Sequence, residues 1–175
     1  MTGILLIKKK VLSILVILLS VLIIPACGVY SFTGASISPE VKTVEIKYFP
    51  NRAKLVNPTL SQYFTDALKD KFVSQTNLEL VESNGDLVFE GFIQGYTTAP
   101  IAIQGDQTAA LNRLTVKVKV KFTNKKEPEH SYENVFTQYQ DYESSAALSS
   151  VEEALIVQIN EALVEDIFNK AVVNW

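Results

Sequence analysis

Few residues in this chain have both the type and the spacing that chemistry requires. A single cysteine, Cys27, and a single histidine, His130, exclude an intramolecular disulfide and a Cys/His zinc site. His130 stands in the charged stretch KKEPEH, and neither a G-x-S-x-G nucleophile elbow nor a phosphate-cradling glycine loop occurs. The adjacent acids Glu152 and Glu153 fall at a helix start, where their charge complements the helix dipole. No enzyme is expected, and no metal. Two patterns are left. One is a thiol preceded by a small residue, Ala26-Cys27, at the end of an apolar run. The other is a set of lysines at every second position, Lys117, Lys119 and Lys121, with Arg113 just ahead of them. The first suits covalent modification of the thiol, the second point-charge contact with anions.

The context of Cys27 sharpens the first pattern. Residues 11–26 follow Lys8, Lys9 and Lys10 and carry no charge, as the h-region of an export signal does after its n-region. The run is short for a membrane span, which needs roughly 20 apolar residues, and Pro25 disfavours helix across its last turn. Ile24-Pro25-Ala26-Cys27 resembles a bacterial lipobox, in which the thiol receives a diacylglycerol and the small residue lies beside the cut. The expectation is a lipoprotein signal peptide over 1–26 and an acylated N-terminus and tether over 27–42. Cys27 then carries diacylglycerol and an N-acyl chain and no other cofactor is needed. The other reading is an uncleaved anchor in which Cys27 is an ordinary apolar residue. Two acyl chains, at about 0.8 kcal/mol per buried methylene, suffice for stable attachment. Gly28 rather than Asp after the cysteine, with no acidic run behind it, is compatible with the periplasmic side of an outer membrane.

Without the leader the chain has 149 residues, enough for one core, with 13 basic against 19 acidic side chains. So acidic a domain lacks the positive field that generic nucleic-acid binding uses.

The elements that must position the lysines follow from periodicity. Thr43–Phe49 alternates as a half-buried strand and stops at Pro50-Asn51. Asn57-Pro58 opens a helix whose stripe is Leu60, Phe64, Ala67, Leu68 and Phe72, ending near Ser74. A turn over 83–86 leads to a strand at 87–96. In LTVKVKVKFT, residues 114–123, Leu114, Val116, Val118, Val120 and Phe122 face one way and the three lysines the other, with steps of roughly 6.6 Å between them. A turn at 124–128 precedes a strand at 132–142. A capping box at Ser149/Ser150 with Glu152 or Glu153 then opens a long helix with stripe Val151, Leu155, Ile159, Leu163 and Ile167. The fold expected over 43–175 is one α+β domain, a two-layer sandwich with two helices on one face of a four-stranded, mostly antiparallel sheet in the order β-α-β-β-β-α.

With the Ala-Cys junction and this order of elements, the stretches Gly28-Val29-Tyr30-Ser31-Phe32, Tyr48-Phe49-Pro50-Asn51-Arg52, Val56-Asn57-Pro58-Thr59-Leu60 and Ala110-Leu111-Asn112-Arg113-Leu114 make the chain, over residues 22–175, resemble the LptE family of lipopolysaccharide-assembly lipoproteins. The resemblance implies a non-enzymatic subunit that plugs an outer-membrane β-barrel translocon (LptD-like), helps it assemble and contacts lipopolysaccharide. The family's own glycolipid-contacting residues are not carried onto positions here; from the ladder itself, Arg113, Lys117, Lys119 and Lys121 could meet lipid A and inner-core anions or acidic groups of the barrel lumen, while the plainer role of lysines there is to solvate one sheet face. Thr97–Ala110, with Ile101 and Ile103 before a Gly105-Asp106 turn, reads either as a barrel-contacting protrusion or as a longer hairpin. Tyr139, Tyr142, Gln138 and Gln140 suit an interface or ordinary sheet packing. The alternatives for the whole chain are an envelope lipoprotein of similar fold that binds peptidoglycan or another soluble ligand without a barrel partner, and a small tethered hydrolase using His130.

Overall fold

The alternation at 114–123 sets the frame of the computed structural model, which describes residues 37–55, 57–101 and 110–172. The elements are β1 (Thr43–Ile46), α1 (Leu60–Gln75), β2 (Glu79–Val81), β3 (Leu87–Ile101), β4 (Leu111–Asn124), a 3-10 turn (Pro128–His130), β5 (Tyr132–Glu143) and α2 (Leu148–Val172). The sheet has five strands in the order β2-β1-β3-β4-β5. β1 runs parallel to both neighbours, and β3, β4 and β5 are antiparallel.

Two features correct the expected four-stranded, mostly antiparallel sheet. β2 is only three residues, Glu79-Leu80-Val81, too short for an alternation to register in the sequence. Its parallel pairing with β1 follows from α1, which carries the chain back to the end where β1 began, the connection that parallel strands need. The sheet is therefore mixed. The link from β2 to β3 then passes over β1 so closely that a Cβ on Gly85 would lie 2.6 Å from the Glu45 nitrogen, and Asn84 before it takes the left-handed conformation at φ 61°.

The apolar stripes meet as the periodicity requires. Leu60, Phe64, Leu68 and Phe72 of α1, Ile159, Leu163 and Ile167 of α2, and Leu114, Val116, Val118 and Val120 of β4 are all fully buried in one cluster. Burying a side chain of this size stabilises by roughly 1.5–3 kcal/mol. A line of rings crosses the sheet. Phe168 of α2 packs on Phe72 at 5.1 Å between centroids, Phe72 on Phe89 at 4.7 Å, Phe89 on Phe122 at 4.8 Å and Phe122 on Tyr132 at 5.1 Å. Phe49 reaches this layer because Gly91 beneath it has no side chain: a Cβ there would lie 2.7 Å from the Phe49 ring and 2.0 Å from the Lys119 carbonyl.

Helix starts depart from expectation in detail. Asn57 Oδ1 accepts the Thr59 and Leu60 amides at 3.0 and 3.1 Å, so it caps as read although the helix proper begins at Leu60. The capping box of α2 does not form. The Ser150 hydroxyl donates to the Ala147 carbonyl at 2.7 Å, and Glu152 is taken up by the Tyr96 hydroxyl and by Asn57 Nδ2 at 3.2 Å. At the other end of the domain, Val41 is buried in the core, and Asp86 Oδ2 accepts the Lys42 and Thr43 amides at 2.9 and 3.1 Å.

Candidate functional site

Both helices bury their stripes against the same side of the sheet, and no described helix covers the other side. The register fixes what that open face carries. Glu90 of β3, Lys121 of β4 and Glu133 of β5 stand in one row across the strands. Phe92, Lys119 and Val135 form the next, Gly95, Lys117 and Thr137 the one after, and Ala99, Arg113 and Asp141 lie towards the far end. Lys117, Lys119 and Lys121 thus share the non-core face, as the alternation requires.

The positive stripe expected of them is largely offset. Lys121 Nζ lies 2.8 Å from Glu90, and Lys47 Nζ, beyond β1, lies 3.0 Å from the other oxygen of the same carboxylate. Lys119 pairs with Glu133 at 2.5 Å. Arg113 grips Asp141 with two bonds of 2.7 and 2.9 Å while its guanidinium lies 3.6 Å over the Tyr139 ring. Lys117 is exposed and has no carboxylate partner among the described residues. The pairing is legible in protonation as well. The Lys121 and then the Lys47 ammonium holds Glu90 below the ordinary carboxylate range, Lys119 does the same for Glu133, and Arg113 for Asp141. Lys121 is in turn held above the usual ammonium value by Glu90.

Beside the lysines lies a shallow groove of about 440 Å³ between Lys47, Tyr48, Arg52, Phe92 and Lys119. Arg52 stacks 4.5 Å over Phe92. Tyr48 is 55% exposed, the aromatic wall of the groove. None of Lys47, Glu90, Arg52, Phe92, Glu133 or Asp141 was given a role at the site from sequence, although Arg52 lies in a stretch that carries the family resemblance. Alternation in LVFEGFIQGY does put Glu90 off the core face, but pairing it with lysines 31 and 43 residues away needs the sheet register.

The remaining candidates fall as follows. Ile101 ends β3 opposite Leu111, so Thr97–Ile101 belongs to a hairpin that runs on beyond β1, with Thr97, Thr98, Ala99 and Pro100 exposed. Ile103, Gly105, Asp106 and Cys27 lie outside the described residues. The tyrosines of β5 divide between faces: Tyr139 is on the open one at 47% exposure, and Tyr142 packs against the core. His130 Nδ1 sits 3.4 Å from Glu127 in the 3-10 turn. Among the described residues no group of His, Cys, Asp and Glu could hold a metal, and no helix is long and apolar enough to cross a membrane. A second cleft, about 530 Å³ between the starts of α1 and α2, is lined by Asn57, Tyr63, Ser149 and Glu152. The Glu152 carboxylate accepts the Tyr96 hydroxyl there, and burial together with that bond raises the Tyr96 pKa.

A minor lipoprotein from Acinetobacter baumannii is similar at 14% identity and a TM-score of 0.51, over 75% of this chain and 92% of that one, which shows a shared fold. The rare lipoprotein B of Shewanella oneidensis is similar at 9% identity and a TM-score of 0.45, over 74% of this chain and 90% of that one. No curated protein matches the sequence. The family described as LptE, lipopolysaccharide-assembly, matches residues 41–171, which span β1 through α2. Fold, open charged face and family match agree, and the chain belongs to the LptE lipopolysaccharide-assembly family.

Proposed function

We propose that the protein is a non-enzymatic outer-membrane lipoprotein, anchored by acyl chains on Cys27 after loss of residues 1–26, on the periplasmic side. In this reading it plugs a β-barrel translocon and assists lipopolysaccharide insertion. The observation that carries the proposal is the open sheet face, whose cations are held in place by carboxylates from β3 and β5. A polar, nearly neutral lattice of this kind can lie against the polar wall of a barrel lumen without burying unpaired charge. Lys117 and Arg52, which have no carboxylate partner among the described residues, then offer point charges to glycolipid phosphate or carboxylate. The part of the β3–β4 ladder beyond β1, residues 97–101 paired with 111–115, is the described segment that reaches furthest along the lumen axis in this reading.

Two measurements test it. Affinity purification of the acylated protein from detergent-solubilised envelopes is expected to recover a stable complex with a large β-barrel; recovery of monomer alone would sink the reading and favour a soluble-ligand lipoprotein. Radiolabelled palmitate is expected in the wild-type protein and absent from the Cys27→Ala variant.

A further inference from the structure

β5 is the long free edge of the sheet among the described residues, whereas the opposite edge, β2, has three residues. The Ser144 amide donates to the Ala110 carbonyl at 2.9 Å, and these two residues stand opposite in the β4–β5 register. That bond fixes the phase of the ladder. Even-numbered residues of β5 bond to β4, so the odd-numbered ones from Glu133 to Asp141 turn their N–H and C=O outward from the edge, while the Glu143 carbonyl accepts the Ala146 amide at 3.0 Å. Several of the usual devices that blunt an edge are missing, although β5 does carry acids. β5 contains no proline and no lysine, and its register with β4 runs from Tyr132 to Glu143 without a bulge.

Charge on the open face is laid out in columns of alternating sign. β3 contributes Glu90, β4 contributes Arg113, Lys117, Lys119 and Lys121, and β5 contributes Glu133, Asp141 and Glu143. The edge column is acidic: Lys119 and Arg113 flank Glu133 and Asp141 on the β4 side, and a column of cations on the outer side would flank them as Lys121 and Lys47 flank Glu90. A second copy does not supply it: the two antiparallel registers that pair most of β5 with another β5 set Glu133 against Asp141 or against Glu143. A barrel wall strand does not supply it either, because a closed barrel has no free edge.

We propose that β5 is a strand-addition site, and that its occupant is an extended segment of another protein carrying lysine or arginine at alternate positions. The segment extends the sheet by one strand, its backbone bonding to the outward groups of Val135, Thr137 and Tyr139 and its cations lying beside Glu133, Asp141 and Glu143. The assignment goes beyond the barrel-plug reading and uses the edge of the sheet rather than its open face.

The test uses the acylated full-length protein in detergent and a synthetic nine-residue peptide alternating lysine with threonine and tyrosine. Binding is expected, with slowed hydrogen exchange at the amides of Val135, Thr137 and Tyr139, and a peptide with glutamate in place of lysine should bind about tenfold more weakly. Thr137→Pro removes one outward donor and leaves net charge unchanged, so it should abolish binding while the β4 amides keep their protection. Should that variant unfold, Val135→Lys with Tyr139→Lys is expected to weaken the lysine peptide and leave the fold intact. Equal binding of the two peptides, binding without added protection at the odd amides, no binding, or self-association through β5 would each overturn the proposal. Barrel recovery is read separately, so failure of the edge and failure of the plug reading give different results.

Discussion

Glu90 and Lys121 stand directly opposite across the β3–β4 ladder, and their side chains meet at 2.8 Å on the open face. Glu90 also takes Lys47 at 3.0 Å, so one carboxylate restrains two cations. Glu90→Gln should therefore free both lysines and raise affinity for lipopolysaccharide by about threefold at low salt, with a steeper loss as salt is added. Replacing Lys117 by Gln should move affinity the other way. Equal affinities for wild type and Glu90→Gln across a salt series would show that this face does not meet the glycolipid.

Asp86 predicts an acid limb of stability. Its carboxylate accepts the Lys42 amide, the Thr43 hydroxyl and the Thr43 amide, and lies 3.3 Å from Lys126, which together lower its pKa from 3.8 to about 2. A carboxyl whose folded pKa is depressed stabilises above its unfolded value and loses that contribution as pH falls through the folded one. The window is thus between pH 3.8 and about 2, and the amount is about 2 kcal/mol. Urea unfolding of Asp86→Asn should show most of this loss already at pH 7 and a flatter dependence between pH 4 and 2.

Asn160 in α2 is fully buried, and among the described residues neither its amide nitrogen nor its oxygen has a hydrogen-bond partner. Leucine has the same branched outline without the polar atoms. Asn160→Leu is expected to stabilise the domain by about 1–2 kcal/mol in urea unfolding. The Tyr132 hydroxyl is likewise buried with no partner among the described residues, and burial raises its pKa, so Tyr132→Phe should be neutral or slightly stabilising. A loss of stability in both variants would mean these groups have partners in solution.

Gly91→Ala tests the close approach of β3, β4 and Phe49. The added carbon would meet the Lys119 carbonyl at 2.0 Å, an atom of the ladder that cannot rotate away. A loss of at least about 2 kcal/mol in chemical denaturation is expected.

How much of this was legible depended on how local the cause was. The stripe of α1 and the alternation of β4 are written in consecutive residues, and every apolar position read from them is buried or packed on the core. β2 escaped notice because three residues cannot display a period, and the parallel course of β1 because strand direction is set by a connection rather than by the strand. Glu152 looked like half of a capping box, since its partner Tyr96 lies 56 residues away. The open face shows the same limit. Its lysines were visible as a ladder, but the carboxylates that offset them come from β3 and β5 positions that only the register brings alongside.

The early burial of the chain has a consequence for how the domain meets its surroundings. Ile37 already packs against the core, and Val41 lies within it, held from behind by the Asp86 clamp. If the anchor is on Cys27, the ten residue steps from it to Ile37 set a leash of at most about 35 Å. A domain so confined samples a thin shell over the bilayer at an effective concentration on the order of 10 mM. Capture of a membrane-embedded partner then becomes a search in two dimensions, and lengthening that leash should slow assembly without changing a single contact.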